Sequence, residues 1–186
     1  FDRYVSECGG GSTANDSYGV IMTLQSSSVI QNDRRRTTTA GQTGWVISQY
    51  LGASGSFDFA SQQNLFKLHS INAGQWESAN LKVSIADILP SQLGSGPYGT
   101  FTVEVRRTSD NDGSQNFVER FPRCNLNPNS KDYVARKIGD KFVTWSESEA
   151  RYVEYGKYDN QSQFLRIEMN ADVDTGNTNE IFLPFG

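Results

Sequence analysis

Apolar residues recur at every second position through long stretches of this chain, and that alternation constrains its fold more than any other feature. Leu81, Val83 and Ile85 alternate with Lys82 and Ser84, and Phe101, Val103 and Val105 with Thr102, Glu104 and Arg106. Leu165, Ile167 and Met169 alternate with Arg166 and Glu168. Successive side chains of a β-strand point to opposite faces, so each run predicts a strand with one packed and one wet face. In the run after residue 116, Phe117, Glu119 and Phe121 are expected to face one way and Val118 and Arg120 the other. With Leu65 to Ile71 added, a sheet of at least five strands is expected.

Helical signals are sparse. The clearest runs from Ser130 to Ile138, with Ser130 placed to cap the first amides, Val134 and Ile138 one turn apart, and Gly139 able to take a left-handed exit. The segment Ser146 to Arg151 reads as a turn or one helical turn, in which Glu147 and Arg151 are spaced to pair. The expected class is therefore α+β, a mixed or mainly antiparallel β-sheet with a few short helices packed on it; an all-β sandwich is the nearest competitor. Residues 1–63 form a polar, Gly/Ser/Thr-rich segment with two expected strands, around Tyr18 to Leu24 and Trp45 to Leu51, and residues 64–186 form the patterned domain.

Composition narrows the function. Eleven Phe and eight Tyr supply bulky side chains for a core. Lys and Arg total 17 against 21 acidic residues, a net charge of -4, which gives no broad basic field for a phosphate backbone, so no nucleic-acid partner is expected. No apolar run is long enough to predict a membrane span, and the opening Phe1-Asp2-Arg3-Tyr4 has no signal-peptide pattern. Opening without Met in ordinary folded sequence, the chain is expected to be a core of a longer protein.

Each candidate for chemistry has a plainer reading beside it. His69, the single histidine, sits in a strand on the same face as Lys67, where a solvated position is expected. Asp110, Asp112, Gly113 and Glu119 fall at offsets of a calcium loop, but Thr108 stands where its first aspartate belongs, and Asp-Gly between alternating strands is ordinary hairpin chemistry. Asp172 and Asp174 before Gly176 read as loop. Cys8 and Cys124 show no metal spacing and are expected as free thiols. Cys8 to Thr13 resembles a phosphate loop but lacks its lysine, and Arg34 to Arg36 reads as a solvated loop. No catalytic, cofactor-binding or metal-binding residue is assigned, no cofactor is expected, and the chain reads as a non-enzyme.

From about Leu65 onward the chain resembles the contractile tail sheath proteins of myovirus-type bacteriophages. The likeness begins with Leu65-Phe66-Lys67-Leu68-His69-Ser70, then Asn80-Leu81-Lys82-Val83-Ser84-Ile85, then Tyr98-Gly99-Thr100-Phe101-Thr102-Val103-Glu104-Val105-Arg106. Its most specific part is Val118-Glu119-Arg120-Phe121, then Asn125-Leu126-Asn127-Pro128-Asn129-Ser130 and Tyr133-Val134-Ala135-Arg136-Lys137-Ile138-Gly139-Asp140. That part is similar to the family's "VE.F..V.LDP.S.NYI...IGD" pattern, with Asn127 where Asp is usual, and the nearest resemblance is to giant phages of the phiKZ type. The resemblance implies a virion structural protein, assembled in the bacterial host cytoplasm, that polymerises around the tail tube and contracts to drive it through the host envelope. It implies as partners other copies of the sheath protein and the tail tube, and, for a piece without its linking arms, a monomer in solution.

A β-rich adhesin or carbohydrate-binding module is the alternative, with Trp45, Trp76 and Trp145 as stacking platforms. A carboxylate hydrolase would need two acids converging in one cleft.

Overall fold

The computed structural model describes residues 39–49, 62–91 and 97–185. The chain divides into two units, Phe1–Arg35 and Arg36–Gly186, and every described residue belongs to the second. The expected strand at Tyr18 to Leu24, the Gly-rich loop, Cys8 and Arg34 to Arg36 lie outside the described residues.

The architecture is mainly antiparallel β-sheet with short helices. Strand β3, Asn64–Ala73, is the axis of a four-stranded sheet. Along one edge it pairs with β1, Ala40–Gln42, and β2, Val46–Ile47; along the other it pairs with β9, Leu165–Met169. This sheet crosses the expected boundary at residue 63, because β1 and β2 contribute strands to the domain that begins with β3. Helix α1, Trp76–Asn80, leads from β3 into a three-stranded sheet of β4, Leu81–Leu89, β5, Thr100–Arg107, and β6, Phe117–Cys124. The two sheets meet where the rings of Phe66 and Phe101 stack with centroids 6.0 Å apart. Phe66, Phe101, Val103, Val105, Tyr133, Val134, Ile138 and Ile167 are all buried there. Each such side chain contributes about 1.5–3 kcal/mol through the area it removes from water.

The expected single sheet of five or more strands is corrected: the alternating runs are strands, but they are divided between separate sheets. Alternation identifies a strand and its faces, not its neighbour. The wet face expected for β5 is corrected too, since Thr102, Glu104 and Arg106 are 2%, 3% and 4% exposed. As the central strand, β5 has its polar face engaged from both sides: Thr102 donates to Asp87 of β4, and Glu104 pairs with Arg120 of β6. In β6 a register shift between the pairs Val105↔Glu119 and Arg106↔Phe117 breaks the alternation. Phe121 lies opposite Val103 and packs on the core, whereas Phe117 lies opposite Arg106, 41% exposed, beneath the guanidinium of Arg120. One inserted residue reverses the facing of everything beyond it, so Phe117 and Phe121 do not share a face.

Helix α2, Val134–Ile138, starts later than Ser130, and Tyr133 at its N-terminus makes no side-chain cap. Ser130 instead serves the turn before it: its Oγ accepts the Asp132 N–H at 3.0 Å and the Asn125 amide at 3.0 Å. Pro128 and these polar turns delay the helix until Val134 N–H reaches the Asn125 carbonyl. Asp172 and Asp174 are helical rather than in a loop: α3, Ala171–Asp174, is capped by Asn170, whose side-chain oxygen accepts Asp172 N–H at 3.0 Å.

Candidate functional site

The acidic turn after β5 is closed by cations of the protein itself. Arg106 grips Asp110 with two parallel bonds, Nε to Oδ2 at 2.9 Å and Nη2 to Oδ1 at 3.0 Å. Lys82 Nζ lies 2.6 Å from Oδ1, and the Asn116 N–H donates to Oδ2 at 2.7 Å. The Arg106 hydrogen bonds, with Lys82 behind them, hold the Asp110 carboxyl well below the usual range. Asp112, whose side chain is 93% exposed, takes the remaining Arg106 nitrogen at 3.0 Å. Glu119 turns elsewhere, accepting the Ser162 hydroxyl and the Gln163 N–H. The three acids of the calcium pattern therefore do not converge, and Asp110 is already fully coordinated. Among the described residues no group of three or more His, Cys, Asp or Glu is placed to hold a metal ion.

The ladder continues along β5. Arg120 Nε donates to Glu104 at 3.1 Å and its Nη2 to Asp87 at 2.8 Å, while Thr102 donates to Asp87 at 3.1 Å. Every buried polar group on this face has a partner, which makes it a structural network fixing the order of β4, β5 and β6.

His69 is not solvated as expected. It is 8% exposed, and its Nε2–H donates to Glu168 Oε2 at 2.8 Å, while Lys67 Nζ reaches Oε1 at 3.1 Å. Burial, and then the Arg166 guanidinium paired across the strands, holds its pKa below the ordinary 6.5 despite the Glu168 bond. Cys124 is a free buried thiol, pushed up to about 11 by burial, and so poorly nucleophilic. The tryptophans occupy separate elements with partners already in place. Lys67 lies over Trp45, Trp76 stacks on Phe164, and Trp145 meets Tyr152 edge-on at 5.2 Å.

The feature without an internal role is a two-stranded hairpin of β7, Phe142–Ser146, and β8, Arg151–Tyr155. Of the two readings for Ser146 to Arg151 the turn holds: residues 147–150 are the hairpin turn, with Ala150 at φ 47°, while Arg151 pairs with Glu149 instead of Glu147. Aromatic and β-branched residues favour the extended backbone. Val143, Trp145 and Tyr152 are 61%, 46% and 70% exposed, an apolar load that a strand facing only water has no reason to carry.

Ile138-Gly139-Asp140 builds its base. Ile138 is buried in the core; Gly139, at φ 102°, lets Asn160 pass where a Cβ would lie 2.3 Å from its Cα. Asp140 Oδ1 then accepts the N–H groups of Lys157 at 2.8 Å and Tyr158 at 2.7 Å, closing the chain behind β8. Beneath β7 lies a groove of about 470 Å³ walled by Ile71, Phe142 and Val143, with Arg166 and Lys141 on its lining. Lys141 is bridged to Glu154 and Asp159. Arg166 is half-buried with its Cζ 4.4 Å from the Phe142 ring centroid, and among the described residues no acid lies within ion-pair distance of it. Burial lowers its pKa below the usual arginine value, against the attraction of Glu168 and Asp140.

No helix among the described residues is long and apolar enough to cross a membrane. Comparison with family models, curated proteins and solved structures gives no match for this chain.

Proposed function

We propose that this chain is a structural subunit of a contractile phage tail sheath, which polymerises around the tail tube and contracts to drive it through the host envelope. The observation that carries the reading is the contiguity of the residues behind the resemblance. Asn125, Asn127 and Ser130 shape one turn, Tyr133, Val134 and Ile138 dock the helix that follows it, and Gly139 and Asp140 root an exposed hairpin. Asn127 departs from the family's usual Asp, yet its side-chain oxygen accepts the Asn129 N–H at 3.0 Å, which is the acceptor role an Asp would fill. These are positions of architecture, as a protein that works by assembly and not by chemistry requires. Electron microscopy of the full-length gene product expressed alone, with this chain as control, tests the reading. Tubular sleeves from the full-length protein are expected; dispersed particles under all conditions would overturn it.

The carbohydrate-binding reading has one observation in its favour, the exposure of Trp145 and Tyr152 on one hairpin. Their edge-on contact leaves no flat paired platform for a sugar. A glycan array separates the two readings, since a sheath subunit binds none.

A further inference from the structure

Two unmatched charges frame the hairpin. Arg166 lies in the groove at the hairpin's base, half-buried and without an ion-paired acid. Glu147 lies exposed at the turn, and among the described residues it has no ion-pair partner, since Arg151 is taken by Glu149. The groove's lining reaches Thr144, and a strand rises about 3.3 Å per residue, so Glu147, three residues on, stands roughly 10 Å beyond its own groove. A second copy has no such restriction.

We propose that the hairpin tip of one copy, carrying Glu147 with Trp145 and Tyr152, docks into the groove of the next copy, where Glu147 pairs with Arg166 and the aromatic rings cover Ile71, Phe142 and Val143. The charge complementarity is local: Glu154, which also lines the groove, is taken by Lys141, which leaves Arg166, lying on the Phe142 ring, as the groove's cation without an ion-paired acid, and the apolar walls match the exposed rings. Tip and groove are different surfaces of one chain, so one copy can engage two neighbours at once, which is the heterologous contact an open assembly needs. A contact smaller than about 1,200 Å² is weak by itself, leaving the isolated chain monomeric at micromolar concentration and strengthening only when repeated through an assembly. The proposal names a contact for the self-assembly inferred above and rests on that reading.

Charge exchange tests it. Sedimentation equilibrium of the chain up to about millimolar concentration is expected to show reversible self-association, weakened about tenfold by either Glu147→Lys or Arg166→Glu alone. An equimolar mixture of the two variants is expected to recover it, because a lysine tip then meets an acidic groove and the native tip of one variant meets the native groove of the other. If Arg166→Glu loses native circular dichroism, Arg166→Gln, which removes the guanidinium's charge without adding an acid, is expected to weaken association as Glu147→Lys does, and normal association of Arg166→Gln overturns the contact. A wild-type chain that stays monomeric, a Glu147→Lys variant that associates normally, or a mixture no better than its components overturns the contact. Full-length Glu147→Lys that builds normal sleeves would overturn the contact and leave the sheath reading standing; a chain that associates through the tip while the full-length protein builds no sleeves would do the reverse.

Discussion

Asp110 receives both cations that a bound metal would have to displace, which decides two experiments at once. Calcium added to about millimolar concentration is expected to leave the melting temperature unchanged, since the loop offers no converging acids. Asp110→Asn is expected to lower it, because the Arg106 guanidinium, 4% exposed, loses the charge it grips. At His69 the folded ring resists protonation more than the unfolded one. The folded state therefore binds fewer protons below the ordinary value of 6.5, and the stability this residue contributes, full above that value, declines as pH falls through it. Urea midpoints measured between about pH 5 and 8 are expected to show the decline, and His69→Gln to flatten it. Glu168 adds a separate loss below its ordinary 4.5: burial would raise its pKa, but the Lys67 and His69 hydrogen bonds lower it. The order of residues reveals that His69 shares a face with Lys67, but not that Glu168 arrives from a strand 99 positions away to cover both.

Elements were legible where a pattern ran long enough to be unmistakable. Strands β4, β5 and β9 follow their alternation, whereas the hairpin strands have five residues each, mix charge with aromatics, and so give no strand signal; only the turn between them was read. The shifted register in β6 and the four-residue helix α3 depend on pairing and capping that linear periodicity does not encode. For the hairpin itself, Asp140→Ala removes the two hydrogen bonds that close its base. Hydrogen exchange of the β7 and β8 amides is expected to rise by roughly tenfold or more, with β3 and β9 unchanged. Gly139→Ala acts at the same joint by a different route, forcing a side chain into a positive-φ position against Asn160; a loss of about 2–3 kcal/mol is expected in denaturant unfolding.

At the scale of the molecule, fold class was readable because strand composition dominates, while sheet membership was not, because it depends on which strands meet. β9 completes the first sheet from the far end of the chain and brings Leu165 and Ile167 into the core. A chain ending at residue 163 is therefore expected to lose cooperative unfolding altogether, as followed by far-ultraviolet circular dichroism. The placement of the three tryptophans has a spectroscopic consequence. Trp45, Trp76 and Trp145 are 37%, 49% and 46% exposed, so no indole occupies the dry interior that shifts emission to the blue. The native protein will fluoresce much as its denatured chain does, and a folding assay built on emission wavelength will register little while the core around Tyr133 comes apart.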